Sequence, residues 1–123
     1  MHPQFIQYPC GGGILADHIH TYEPQKAGVI LCIAEKGKDY CQGGVTFTVS
    51  DEQIIDIEDD HHMGNLAIFR IDMPHGVKPV DKDDSCDNWN YEIGVWESDD
   101  GQNKSEIDYA NSNGRWVAVL TTI

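Results

Sequence analysis

Three histidines in this chain have the types and spacing of a metal-ligand set. His18 and His20 stand two residues apart at the end of Tyr8-Pro9-Cys10-Gly11-Gly12-Gly13-Ile14-Leu15-Ala16-Asp17-His18-Ile19-His20, and His75 follows 57 residues after His18 in Pro74-His75-Gly76-Val77. Side chains two apart on a strand point the same way, so His18 and His20 converge while Asp17 and Ile19 point elsewhere. A third imidazole from a distant strand would complete a facial set. Neutral imidazole suits iron, zinc, copper or nickel, and three protein ligands leave positions open for small molecules.

Such ligands need a rigid frame, and the apolar pattern supplies one made of strands. Short apolar runs alternate with Gly, Asp and Asn clusters, and no segment keeps a helical period. Strands are expected over residues 4–8, 13–20, 28–34, 44–49, 53–57, 66–71, 76–80, 91–96 and 115–122. Nine short strands with little helix predict an all-β sandwich or jelly roll. The runs Gly28-Val29-Ile30-Leu31-Cys32-Ile33-Ala34 and Trp116-Val117-Ala118-Val119-Leu120 are nearly all apolar, as expected of strands buried on both faces or at a sheet centre.

With 123 residues the chain is read as a single domain, 1–123. Its 21 acidic against 8 basic side chains, a formal charge of -13, would repel a phosphate backbone, so nucleic acid and anionic membrane surfaces are poor partners. No long apolar span or leader-like start is visible, and Cys10, Cys32, Cys41 and Cys86 lack a C-x-x-C or framework spacing. Reduced thiols and a cytoplasmic location are expected. The run Glu58-Asp59-Asp60-His61-His62 reads as a solvated turn, since adjacent strand residues point to opposite faces and give His61 and His62 no common ion. Trp89, Tyr91 and Trp96 lie in a polar, loop-rich stretch and could line a substrate pocket.

In order along the chain, Tyr8-Pro9 with Gly11 to Gly13, His18-Ile19-His20, Gly43-Gly44-Val45-Thr46-Phe47, Gly64-Asn65-Leu66-Ala67-Ile68-Phe69, His75-Gly76-Val77 and Gly114-Arg115-Trp116 together resemble the prolyl-hydroxylase-like branch of the Fe(II)/2-oxoglutarate-dependent oxygenases. The resemblance implies a double-stranded β-helix, cupin-like, with Fe(II) held by His18, His75 and His20. It implies 2-oxoglutarate bound through Arg115 and Tyr8, with decarboxylation to succinate coupled to hydroxylation of a small-molecule or peptide substrate. Burying the lone Arg115 cation is costly unless an anion answers it, and a planar guanidinium fits a carboxylate. The family arginine follows the second histidine by about ten residues, whereas here the gap is 40 residues; an insertion over 81–113 would reconcile the two.

His20 stands where the resemblance calls for Asp or Glu. It either ligates, as in three-histidine cupin-type dioxygenases that need no 2-oxoglutarate, or swings aside and leaves a position open, or marks a non-catalytic binding domain that keeps the fold. Relatives also carry helices ahead of the Tyr segment to cover the larger sheet, and seven residues precede Tyr8 here. A homo-oligomer, a dimer joined through that face, or a truncated reading frame is therefore expected.

Overall fold

Apart from the hairpins over residues 44–56 and 88–97, the strands find their hydrogen-bonding partners far away in sequence, which is why the local pattern alone could not give the pairing. The computed structural model describes residues 2–21, 25–60, 62–110 and 113–121. Among these residues lie ten strands: β1 (His2–Tyr8), β2 (Gly13–His18), β3 (Ala27–Cys32), β4 (Gly44–Ser50), β5 (Gln53–Asp56), β6 (Leu66–Arg70), β7 (His75–Val80), β8 (Asn88–Asn90), β9 (Val95–Glu97) and β10 (Arg115–Thr121). No helix occurs among the described residues, and so none is long and apolar enough to cross a membrane. The all-β expectation holds.

Two four-stranded antiparallel sheets carry the fold, in the orders β1-β10-β3-β6 and β2-β7-β4-β5. Their inner faces meet in one core, with Tyr8, Ile30 and Val117 from the first sheet packed with Val45, Phe47 and Val77 from the second. Alternation within β3 shows the logic: Gly28, Ile30 and Cys32 are buried while Ala27, Val29 and Leu31 turn outward. The continuous apolar run there does not mean that both faces are covered.

Between β7 and β10 the chain makes an excursion that contains the β8–β9 hairpin. This excursion separates His75 from Arg115 along the chain. The strand expected over 91–96 is corrected here: residues 91–94 form the turn of that hairpin, and only Val95 and Trp96 of the span are in a strand. Asn90 causes the turn, its Oδ1 accepting from the Glu92 amide at 2.9 Å, with Gly94 at φ 68° closing it. Tyr91 consequently stands 90% exposed.

Candidate metal centre

His18 and His75 are direct cross-strand partners on β2 and β7. A bulge makes them so. Leu15 pairs with Val77 and His18 with His75, so two residues of β2, Ala16 and Asp17, oppose the single Gly76. Strict alternation would send positions 15 and 18 to opposite faces; the extra residue brings both to the inner one. Gly76 is what admits the bulge, because a Cβ there would lie 2.3 Å from Asp17 Oδ1 and 2.8 Å from the Leu15 carbonyl oxygen. His20 lies just past β2, in contrast to the strand expected through residue 20, and its amide donates to the Ile71 carbonyl at 3.3 Å.

The three rings converge. Their centroids lie 4.4 to 5.4 Å apart, and one ligand nitrogen from each falls within 4.8 Å of the others. His18 Nδ1 lies 2.8 Å from the Ala16 carbonyl and His75 Nδ1 2.7 Å from that of Met73. A carbonyl can only accept, so both Nδ1 atoms carry the proton and each neutral ring presents a bare Nε2. His18 Nε2 and His20 Nε2 are 3.1 Å apart. Two nitrogens each about 2.1 Å from one ion have that separation at an angle near 95°. The widest spread, 4.8 Å, exceeds the roughly 3.0–3.4 Å between cis or tetrahedral ligands at such bond lengths, so the rings must close by more than about 1 Å on binding.

Surroundings favour the neutral form of His75 and of His20. His75 is 6% exposed, with the Phe69 ring centroid 4.7 Å from its own. Burial holds its pKa below 6.5, reinforced by His18 and His20 and opposed by the Met73 carbonyl and Asp17. His20 is lowered too, by burial and then by His18. The donor set, three converging imidazoles without a carboxylate, fits a divalent transition ion.

Arg115 and Tyr8 are also cross-strand partners, on β10 and β1, and both touch the cavity that the histidines line, a space of about 340 Å³ between the sheets. Arg115 is 1% exposed, with its guanidinium carbon 5.5 Å from the Tyr8 ring centre. Burial raises the Tyr8 pKa above 10.0, with Arg115 pulling the other way.

The anion that answers Arg115 is already inside the protein. Glu58, fully buried, accepts from Arg115 Nε at 2.9 Å and from the Val45 amide at 2.6 Å through Oε1, while Oε2 accepts from the Tyr40 hydroxyl. Burial and this bond to Glu58 raise the Tyr40 pKa strongly. Arg115 Nη2 is 2.8 Å from the same Oε1 yet satisfies no hydrogen bond. It is close enough for ion pairing but poorly angled for donation, which leaves a buried N–H group able to serve a ligand. That orphaned donor fits a carboxylate guest, although Glu58 has already cancelled the net charge.

Glu58 therefore does not belong to a solvated turn, contrary to the expectation for the acidic run. The signal in the sequence was indirect, since a lone arginine in an apolar strand demands an acid without saying which. Gly44, at φ 127°, gives it room, for a Cβ there would lie 2.0 Å from the carboxylate carbon. His61 lies outside the described residues, and His62 is engaged with Glu35 at 3.0 Å, away from the cluster. Trp89 lines a neighbouring groove that shares Ile6, Tyr8 and Leu15 with the main cavity, whereas Tyr91 and Trp96 line neither. No family model, no curated protein and no solved structure matches this chain.

Proposed function

We propose that the chain is a non-haem Fe(II)/2-oxoglutarate-dependent oxygenase on a double-stranded β-helix. Setting the inserted β8–β9 hairpin aside leaves eight strands in two interleaved sheets, with orders 1-8-3-6 and 2-7-4-5, as expected of a jelly roll. The observation that carries the activity is the single cavity touching both the three-imidazole cluster and the buried Arg115–Tyr8 pair. An ion site and a hydrogen-bond donor to a carboxylate on one cavity are what an oxygenase with an organic acid co-substrate requires.

His18, His20 and His75 would hold the ion, and the chemistry supplied there is oxygen activation coupled to decarboxylation of 2-oxoglutarate and hydroxylation of a C–H bond. The protein's own contributions are positional. The Ala16 and Met73 carbonyls aim two rings, Arg115 Nη2 and the Tyr8 hydroxyl offer donors to a carboxylate, and Phe69, Ile30 and Val117 keep the space apolar. The test combines pure protein with Fe(II), 2-oxoglutarate and oxygen. Succinate formation and calorimetric binding of 2-oxoglutarate are expected; absence of both contradicts the proposal.

Glu58 favours a second reading, a three-histidine dioxygenase that needs no 2-oxoglutarate, because a guanidinium already neutralised offers a dianion less attraction. Replacing both partners with methionine separates the two without stranding a buried charge. Turnover surviving in Arg115→Met/Glu58→Met with no 2-oxoglutarate added supports the second reading. Metal-free wild-type protein, even after purification without chelator and incubation with Fe(II), would leave only a binding domain.

A further inference from the structure

A buried guanidinium facing a buried carboxylate ordinarily closes a fork, with two N–H groups donating in parallel to two oxygens. Arg115 and Glu58, whose side chains are 1% and 0% exposed, do not. Arg115 Nε at 2.9 Å and Nη2 at 2.8 Å both crowd onto Oε1, which also accepts from the Val45 amide at 2.6 Å. A carboxylate oxygen has two lone-pair directions, and the Val45 amide and Arg115 Nε use both. Nη2 is therefore left without a hydrogen bond among the described residues.

The oxygen that a fork would need, Oε2, is held by the Tyr40 hydroxyl. Tyr40 is buried and its backbone is fixed on both sides. Its carbonyl accepts from the Gly37 amide at 2.6 Å, and the Asp39 carbonyl before it accepts at 3.1 Å from the amide of Gly114, the residue next to Arg115. Burial and the bond to Glu58 hold the Tyr40 pKa far above the usual phenol range, so the hydroxyl keeps its proton and stays a donor. Tyr40 does not line the cavity that Arg115 touches. It can act on a ligand only through the ion pair.

We propose that Tyr40 is a positioning residue: it withholds Glu58 Oε2 from Arg115 and so keeps Nη2 available to donate to an organic carboxylate in the cavity. The inference rests on Arg115 serving a carboxylate ligand, as in the function proposed above. Two demands on the pair conflict. The buried cation needs an internal counter-charge while the cavity is unfilled, yet a counter-charge that engaged every facing donor would leave none for a ligand. With Tyr40 on the second oxygen, neutralisation and an open donor coexist.

The test is Tyr40→Phe, alone and in the Glu58→Gln background, with circular dichroism checking the fold of each variant. The phenyl ring keeps the volume, and Oε2, deprived of its donor, should turn to Nη2. In ligand-free protein the Arg115 guanidinium should then show a new downfield Nη2 proton by NMR, the signature of a closed fork. Affinity for 2-oxoglutarate, read by calorimetry, should fall about tenfold to a hundredfold, the effect of one hydrogen bond to a charged group. The side chain of Glu58→Gln has a single acceptor oxygen and cannot complete the fork, so in that background Tyr40→Phe should change affinity by less than about twofold. A tyrosine with a merely structural role would weaken binding alike in both. An unchanged guanidinium spectrum overturns the inference, as does an equal loss of affinity in the two backgrounds. A changed spectrum in a protein whose wild type binds no 2-oxoglutarate refutes the carboxylate ligand and upholds the hold of Tyr40 on the pair.

Discussion

Replacing Glu58 by glutamine is the sharpest probe of the cavity's polar end. The substitution preserves volume and an oxygen that can accept from Arg115 Nε and the Val45 amide, but it removes the charge opposite a guanidinium that is 1% exposed. Stripping one partner from a buried ion pair costs about 3–5 kcal/mol. A carboxylate guest hydrogen-bonded to Arg115 Nη2, itself 2.8 Å from Glu58 Oε1, would sit within about 6 Å of that oxygen. At an effective dielectric of about 20, the repulsion relieved is about 2.8 kcal/mol, close to a hundredfold in affinity. Glu58→Gln should therefore melt well below the wild type, bind 2-oxoglutarate about a hundred times more tightly, and regain much of the lost stability when it binds. Thermal melts and calorimetry with and without 2-oxoglutarate read all three effects. A destabilised variant whose carboxylate affinity is unchanged or lower would refute the idea that Arg115 serves a ligand.

Three other perturbations bear on the imidazoles. Gly76→Ala touches no ligand, yet its methyl group would collide with the Asp17 backbone nitrogen and the Leu15 carbonyl; metal affinity measured by competition with a chromophoric chelator should drop at least about tenfold. His20→Asp supplies the acidic ligand of the resembled family and lowers the charge of the loaded site by one unit; Fe(II) should still bind, and a variant that cannot bind it would show that His20 holds the site's geometry. For pH, burial holds His75 and His20 below 6.5, so as pH falls through that value the unfolded chain takes up protons first. The metal-free protein should lose stability only on the acid side of about pH 6.5, and bound metal should leave over the same window; urea unfolding across pH 5 to 8 checks the sign.

Much of the site was legible before the fold was. His18, His20 and His75 stood out because side chains two apart on a strand share a face and imidazole is a metal-ligating group, and Tyr8 and Arg115 were tied to them only by the ordered resemblance. The strands were readable from short apolar runs between Gly, Asp and Asn clusters. What could not be read was anything set by register. The bulge opposite Gly76 depends on two strands separated by more than fifty residues, and Glu58 is buried because tertiary packing carries it beneath Gly44, against the local preference of an acidic run for water. Tyr91 misled for the opposite reason: its ring signals strand, but Asn90 before it bends the chain.

Whether three imidazoles share one ion is addressed directly by cobalt(II) titration followed through its visible spectrum. One ion per chain is expected for the wild type, with ligand-field bands of nitrogen coordination, and binding should vanish in His18→Ala and in His75→Ala while both variants stay folded. Absence of binding to the wild type, or a spectrum that survives either substitution, would contradict the shared site.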